Sequence, residues 1–126
     1  LVKKMTQEAI QVRGARVLIL GLTFKENTPD LRNTRVVDII DELKEYEIHV
    51  DVHDPWADAR EAKEYYGIEL VSEPMAGAYD GVVLAVAHEQ FRANGLTGVK
   101  AYASPEGSVI YDLKYSLPHA GTDLRL

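Results

Sequence analysis

The residue types best suited to binding a ligand lie together in one polar segment, residues 22–34, which follows a continuous apolar run at 16–21. Lys25 carries a compact positive charge that suits a phosphate group, and the neighbouring ring of Phe24 can pack against a sugar or a base. A polar connection of this length after a strand is unusual and commonly carries function. Residue types alone favour the alternative, in which Lys25 is solvated and Phe24 belongs to the core.

A second basic residue of this segment, Arg32, has several candidate partners. It can pair with Asp30, with Asp54 or with a ligand, and the spacing does not decide between them. Asp30 can also accept a hydrogen bond from its own loop backbone, as aspartate does in an Asx turn. Asn33 or Thr34 can cap the helix that follows. For these neighbours of Arg32, a structural role is the favoured interpretation.

The segment lacks the glycine fingerprint of a dinucleotide-binding loop. That fingerprint, G-x-G-x-x-G, lets the backbone approach a pyrophosphate and lets the next helix pack closely on the sheet. Here Gly21 is followed by Leu-Thr-Phe-Lys-Glu, so only the first glycine is present. A bound NAD is therefore not expected on this part of the protein, and no cofactor-binding residue is assigned to it.

Three of the four histidines lie on or just after predicted strands, but they do not form a metal-binding pattern. His49 lies on one predicted strand and His53 directly after it, and His88 follows another strand, so no set of metal ligands emerges. His88 is interpreted as satisfying a backbone carbonyl rather than contacting a ligand. Trp56 is interpreted as a packing residue rather than a stacking platform. No metal site is therefore expected.

The elements that must position these residues alternate along the chain. Short apolar runs predict strands, and amphipathic runs predict helices. The predicted strands are 16–21, 48–52, 68–71, 81–87 and 108–112, and the predicted helices are 1–12, 34–46 and 57–66, with a helical turn at 74–79 and an irregular tail after Leu117. This alternation predicts a three-layer, doubly wound α/β fold with a mainly parallel sheet of five to six strands, Rossmann-like without the glycine fingerprint. Ligands of such sheets bind beyond the carboxyl ends of the strands.

Composition limits the classes of function. The chain has 126 residues, 46% hydrophobic and 27% charged, which is enough for one domain with a core. It contains no cysteine, which excludes disulfides, thiolate metal sites and a cysteine nucleophile within it. With a net charge of −6, the chain has no excess of positive charge to bind a nucleic acid or an anionic membrane. No apolar run is long enough to span a bilayer. The start without methionine is interpreted as the cut edge of a longer, cytoplasmic protein.

Four motifs in fixed order carry a family resemblance. They are GLTFKENTPDLRNT at 21–34, Asp-Pro at 54–55, AVAHEQF at 85–91 and VIYDLK at 109–114. Together they resemble the C-terminal, UDP-sugar-binding domain of the UDP-glucose/GDP-mannose dehydrogenase family, over essentially the whole chain. The histidine segment and the Asn-Thr pair are most similar to members that act on UDP-N-acetylhexosamines for bacterial surface polysaccharides.

The resemblance implies that this chain is one part of a larger enzyme. Members of the family oxidise the C6 hydroxymethyl group of a nucleotide sugar to a carboxylate and use two NAD. Their N-terminal domain binds the NAD, and a central helical segment helps to form a dimer and holds the reactive cysteine. The chain alone is therefore expected to be inactive, and its parent to be a homo-oligomer, a dimer or larger. Residues 1–13 are expected to end the preceding helical segment or linker, and residues 14–126 to form the UDP-sugar-binding domain.

The resemblance also assigns candidate substrate-binding residues. By the family pattern, Phe24 and Lys25 lie near the substrate, and Lys25 donates to sugar or phosphate oxygens; Arg32 and Lys114 complete the set. The family often has Asp-Gly-Arg after the last strand, where this chain has Asp-Leu-Lys at 112–114. Lys114 can supply the charge but not the planar two-pronged donor of arginine. A solvated Lys114 is an equally open alternative.

Two other classes of protein share the alternating pattern. A stand-alone flavodoxin-like signalling or interaction module has five such strands, but a receiver of that kind needs clustered acids after the first strand and an aspartate after the third. Here the residues at those places are Gly-Leu-Thr at 21–23 and Ser-Glu-Pro at 72–74. A complete Rossmann oxidoreductase is opposed by the missing glycines and by the length.

Overall fold

One parallel sheet organises the computed structural model, which describes residues 1–7, 10–113 and 124–125. Within these residues the strands are β1 (Arg16–Leu20), β2 (His49–His53), β3 (Gly81–Leu84), β4 (Val109–Asp112) and β5 (Leu124–Arg125), in the order β2-β1-β3-β4-β5. The helices are α1 (Val2–Gln7), α2 (Val36–Glu45), α3 (Ala59–Tyr66) and α4 (Glu89–Lys100). Every strand pair is parallel, so the predicted α/β class is confirmed.

The two most apolar strands lie in the middle of the sheet. β1 pairs with β2 on one side and β3 on the other, so that Val17 stands between Val50 and Gly81. All of β3 and all of β1 except Arg16 are buried. A parallel strand covered on both faces must be apolar on both faces, which is why these two runs show no alternation.

Helices cover both faces of the sheet. On one face, Ile19 of β1 packs in a cluster with Ile40 of α2 and Ala62 of α3. On the other face, Leu18 packs with Phe91 of α4. Because neighbouring residues of a strand point to opposite faces, β1 contributes to both clusters. The predicted three-layer arrangement is therefore confirmed.

The predicted strand at 68–71 is reduced to a single bridge. Leu70 pairs in parallel with Val52, and the Val71 N–H donates to the Val52 carbonyl at 2.8 Å. Glu69 is exposed, so this run adds too little buried surface to extend the pairing. Its position still matters, because counting it outside β2 gives the dinucleotide-type strand order, whereas the five strands alone have the flavodoxin-type order.

Other element bounds differ from those predicted. The strand expected at 81–87 ends at Leu84, because the next two N–H groups, at Ala85 and Val86, both reach the Leu20 carbonyl and turn the chain. The turn expected at 74–79 is not helical. The tail predicted to be irregular after Leu117 contains β5. Residues 114–123 and 126 lie outside those described.

Of the helices α2, α3 and α4, helix α4 has the least regular amphipathic pattern in its sequence. Gly95 lies inside it with φ of 59°, so its geometry is broken there and its apolar pattern is irregular. Within the described ranges of the chain, no helix combines the length and the apolar character needed to cross a bilayer. The longest, α4, has 12 residues.

Candidate functional site

The candidate site lies at the carboxyl edge of the sheet, between β1 and β3. The chain leaves β1 toward β2 and leaves β3 toward β4, so the two connections diverge at this point. Such a switch point is where doubly wound sheets bind ligands. Three connections meet there: residues 21–35 after β1, 54–58 after β2 and 85–88 after β3.

The crevice between β1 and β3 is filled by the protein itself. Gly21 has φ of 100°, and a Cβ added to it would lie 2.6 Å from the Cβ of Val86 and 2.8 Å from its backbone nitrogen. Only glycine fits there, because any side chain would clash with this neighbour and would also strain the backbone. The single glycine shared with the dinucleotide pattern therefore allows residue 21 to pack closely against Val86.

The carboxylate of Asp54 accepts hydrogen bonds from backbone N–H groups at this edge. Its Oδ2 accepts hydrogen bonds from the N–H groups of Leu22 at 2.6 Å and Thr23 at 3.0 Å. Its Oδ1 accepts from the N–H groups of Trp56 at 2.7 Å and Ala57 at 3.1 Å. In dinucleotide-binding domains, N–H groups after the first strand hold a pyrophosphate. Here an internal carboxylate holds the equivalent position.

His88 completes this buried cluster and is itself 0% exposed. Its Nδ1 accepts a hydrogen bond from the Asn27 N–H at 2.9 Å, so the ring proton must be on Nε2. Nε2 lies 2.9 Å from Oδ2 of Asp54 and 3.1 Å from Oγ1 of Thr23. Thr23 Oγ1 in turn donates to the Lys25 carbonyl at 2.9 Å. Each polar atom of the ring and of the threonine hydroxyl therefore has a partner.

The cluster sets the ionisation of Asp54. Burial by itself raises the pKa of this carboxyl, but hydrogen bonds from His88 and from the N–H groups of Leu22 and Thr23 outweigh that effect and leave the pKa below its ordinary value. A carboxylate that accepts several hydrogen bonds is stabilised in its charged form. Asp54 therefore remains an anion inside the protein at neutral pH.

The structural role expected for His88 is what the geometry shows, although the expected backbone carbonyl is replaced by a carboxylate and an N–H group. The partner that sequence reasoning missed is Asn27. Its φ of 55° is left-handed, and its Oδ1 accepts a hydrogen bond from the N–H of Glu89 at 2.7 Å. Asparagine tolerates this conformation better than most residues, which was the available signal.

The remaining candidates are displayed on the outside of the same loop. The Phe24 N–H donates to the Asp30 carbonyl at 2.7 Å, which closes residues 24–30 into a compact turn. Phe24 is 53% exposed, so the alternative of a core Phe24 is wrong. Lys25 is also exposed, and among the residues that the structure describes it forms no ion pair. The loop thus presents an aromatic ring beside a positive charge.

Arg32 pairs with Asp30 rather than with Asp54. Its Nε and Nη2 donate to the two carboxylate oxygens of Asp30 at 3.0 and 3.2 Å, and its side chain is 80% exposed. The Arg32 N–H also donates to Oδ1 of Asp30 at 2.9 Å, as expected for an Asx turn. Hydrogen bonds from Arg32 lower the pKa of Asp30, and the positive charge of Lys25 adds to the effect. Lys25 therefore lies within electrostatic reach of this pair.

The structure gives a different result for each of Lys114, Trp56 and His53. Lys114 lies outside the described residues. Trp56 is half-buried and its Nε1 donates to Oε1 of Gln90 at 2.9 Å, with its ring 6.1 Å from that of His88, so it packs as expected. The Nδ1–H group of His53 donates a hydrogen bond to the Val71 carbonyl at 2.8 Å. Across the described part of the chain, no three acidic, histidine or cysteine side chains are grouped to hold a metal ion.

Comparison with known proteins identifies close relatives. Over all 126 residues, the chain is 56% identical to a UDP-N-acetyl-D-glucosamine 6-dehydrogenase of Pseudomonas aeruginosa and 47% identical to one of Salmonella typhi. It spans 30% and 29% of the lengths of these relatives. Among solved structures, it matches the NDP-N-acetyl-D-galactosaminuronic acid dehydrogenase of Methanosarcina mazei Go1 with a TM-score of 0.80 at 20% identity. That match covers 99% of this chain and 26% of the other, and it shows a shared fold.

A family-level match agrees with these relatives and with the resemblance drawn from the four motifs. Residues 18–119 match the family described as "UDP-glucose/GDP-mannose dehydrogenase family, UDP binding domain". The matched range includes the last three residues of β1, the strands β2 to β4 and all three connections that meet at the carboxyl edge. The chain therefore belongs to the UDP-glucose/GDP-mannose dehydrogenase family and corresponds to its UDP-binding domain.

Proposed function

We propose that this chain binds the UDP-sugar substrate of an NAD-dependent nucleotide-sugar 6-dehydrogenase. The parent would oxidise C6 of a UDP-hexose or a UDP-N-acetylhexosamine to a uronate for surface polysaccharide synthesis. The observation that carries this proposal is the exposed Phe24–Lys25 pair on a loop anchored at the switch point, in a chain of this family. The relatives that match over the full chain act, by their names, on UDP-N-acetyl-D-glucosamine, which favours the N-acetylhexosamine.

Each displayed side chain has a proposed role. Lys25 donates to diphosphate or sugar oxygens, and Phe24 packs against the base or the sugar ring. Arg32 contributes the N–H groups that Asp30 leaves unused, and Lys114 adds a further charge. A charge-assisted hydrogen bond contributes about 1.5–3 kcal/mol. Because the net charge of the chain is −6, these local cations must hold a diphosphate against a repulsive overall field.

The oxidation itself is assigned to the rest of the parent protein. The chain contains no cysteine to form a thiohemiacetal, and the crevice that would receive a dinucleotide is filled by Val86 and Asp54. These observations support binding of NAD by a preceding domain and no turnover by this chain alone. The division at residues 1–13 and 14–126, a cytoplasmic location, a homo-oligomeric parent and the lack of nucleic-acid or membrane partners belong to the same proposal.

A signalling module remains the alternative, since the five strands alone have the flavodoxin-type order. The aspartate at this edge, Asp54, does not suit a phosphoacceptor, because its side chain is fully buried and both its oxygens accept hydrogen bonds. Labelling by a small phosphodonor would revive this alternative.

The direct test is a titration of the isotope-labelled chain with UDP-N-acetylglucosamine, followed by NMR. We expect amide shifts within residues 21–32 and about tenfold weaker binding by Lys25→Ala, the loss of one charge-assisted hydrogen bond. Lys44→Ala is the matched control, because Lys44 is an exposed lysine in the last turn of α2. Unchanged spectra for residues 21–32, or equal affinities for both variants, would count against the proposal.

A further inference from the structure

We infer that His88 is a positioning residue for the substrate loop, defined as residues 22–32, and that it acts through the main chain of Asn27. This inference rests on the proposed function, because it concerns how the loop presents Phe24 and Lys25 to a UDP-sugar. His88 is fully buried in the connection after β3, so we place it beneath the loop and out of contact with the ligand. Its effect on binding would be exerted entirely through the loop that it holds.

Three hydrogen bonds tether the displayed residues from beneath. The Asn27 N–H donates to Nδ1 of His88 at 2.9 Å, and Asn27 Oδ1 accepts from the Glu89 N–H at 2.7 Å. The third tether is the bond from Thr23 Oγ1 to the Lys25 carbonyl, at 2.9 Å. The Lys25 carbonyl and Asn27 are thus both tethered, while the Lys25 side chain is exposed. The tethers therefore fix where the backbone of Lys25 lies.

The two ring nitrogens of His88 have different hydrogen-bond partners. Nε2 donates to the buried carboxylate of Asp54, in the connection between β2 and α3, and also lies 3.1 Å from Oγ1 of Thr23 at the start of the loop. Nδ1 accepts from Asn27, in the middle of the loop. One side chain therefore joins the β2–α3 connection to the loop, and the bonds of its two nitrogens can be broken separately.

Two near-isosteric variants separate these bonds. In His88→Asn, the side-chain oxygen can take the place of Nδ1 and accept from Asn27, while the donor to Asp54 is lost. In His88→Gln, the amide nitrogen can take the place of Nε2 and donate to Asp54, while the acceptor for Asn27 is lost. Asparagine and glutamine each offer one acceptor and one donor group, so the pair is matched in chemistry.

A positioning role predicts opposite orders for stability and for binding. His88→Asn should have the lower urea midpoint, because a buried carboxylate loses a donor. His88→Gln should bind UDP-N-acetylglucosamine more weakly, by about tenfold if the loop is ordered a tenth of the time. His88→Asn should bind within about twofold of the unchanged chain, since its loop keeps the tether. A purely structural role would make affinity follow stability, and that result would overturn the inference.

A measurement without ligand separates this inference from the proposed function. Hydrogen exchange at the Asn27 amide should be faster in His88→Gln than in His88→Asn, because only the glutamine variant lacks the acceptor. Equal exchange in the two variants would overturn the inference, whether or not the chain binds a UDP-sugar. If the two variants show this exchange pattern but the unchanged chain does not bind UDP-N-acetylglucosamine, the proposed function fails and the tether stands.

A variant on the loop side guards against misfolding of the His88 variants. Asn27→Gly keeps the N–H donor and suits the φ of 55°, but it removes the bond to Glu89. Because the bond from the N–H of residue 27 to His88 is kept, we expect an affinity for UDP-N-acetylglucosamine within about twofold of that of the unchanged chain. A loss as large as that expected for His88→Gln would show that the bond to Glu89, and not His88, holds the loop, and it would overturn the inference.

Discussion

The carboxyl edge of the sheet has two halves that differ in what their polar groups do. In the inner half, Asp54, His88 and Thr23 satisfy one another and are buried. In the outer half, Phe24 and Lys25 are exposed, although only one peptide bond separates Thr23 from Phe24. A histidine is thus inside and a phenylalanine outside, the reverse of their usual preference. The inner half fixes the backbone, and the outer half is left free to meet a ligand.

The largest effect is expected from breaking the inner half. Asp54→Ala removes the acceptor for four backbone N–H groups and for the His88 ring. Buried donors without an acceptor cost about 1–3 kcal/mol each, so the free energy of unfolding should fall by at least about 3 kcal/mol in urea denaturation.

Asp58→Ala is the matched control for that substitution, because Asp58 also accepts from two backbone N–H groups, at the exposed start of α3. Loss of this cap should lower the free energy of unfolding by only about 1 kcal/mol. Equal losses for the two aspartates would show that the inner half is no more than an ordinary cap.

The closed crevice should give the next largest effect. Gly21→Ala places a methyl group against Val86 and keeps a left-handed backbone, so we expect a loss of about 2–4 kcal/mol, measured by thermal or urea unfolding. Gly67→Ala has a φ of 68° but nothing within 4 Å, and should lose only about 1 kcal/mol. A similar loss at both glycines would mean that Val86 can move aside.

A smaller effect is expected from acid. The pKa of Asp54 is lower in the folded chain than its unfolded value of about 3.9, so its contribution to stability is full at neutral pH. That contribution is lost as the pH falls below the unfolded value and through the folded one. The stability gap between the unchanged chain and Asp54→Asn, measured by urea unfolding, should therefore narrow from pH 6 to pH 3. A gap that stays constant would show that the charge of Asp54 is not what stabilises the inner half.

The smallest effect concerns the outer half. Asp30→Asn keeps an acceptor for the Arg32 N–H but removes the negative charge that holds the guanidinium. UDP-N-acetylglucosamine should then bind roughly twofold to fivefold more tightly, the size of a screened surface charge effect, and the gain should shrink in high salt. Weaker binding in calorimetry would indicate instead that Asp30 orients Arg32 for the substrate.

Much of the fold was predictable because its strongest signals are local. The runs of β1 and β3 are apolar on both faces because both faces are covered, and α2 shows its apolar stripe directly. Helix α4 was obscured by Gly95, and the edge run at Leu70 depends on a single pairing that composition does not reveal. Elements whose stability depends on distant partners were the ones that sequence reasoning placed poorly.

The location of the candidate site was predictable from the sequence, but its hydrogen-bond network was not. Switch-point topology places the residues after β1 and β3 together, and the structure brings both connections to one edge of the sheet. The substrate-binding role of Phe24 and Lys25 stays a prediction. The bond between Asp54 and His88 joins residues 34 apart in the chain, and either residue type has several plausible partners. The link to Asn27 needs a particular ring tautomer, which only the surrounding hydrogen bonds determine.

The carboxylate of Asp54 has a consequence for competition among ligands. As a tethered group, it faces the N–H groups of Leu22 and Thr23 at an effective concentration that free phosphate or nucleotides in a cell do not match. A dinucleotide would therefore have to displace this carboxylate to reach the N–H groups that hold a pyrophosphate in related folds. Under the proposed function, discrimination among nucleotides would fall to the side chains that the loop displays.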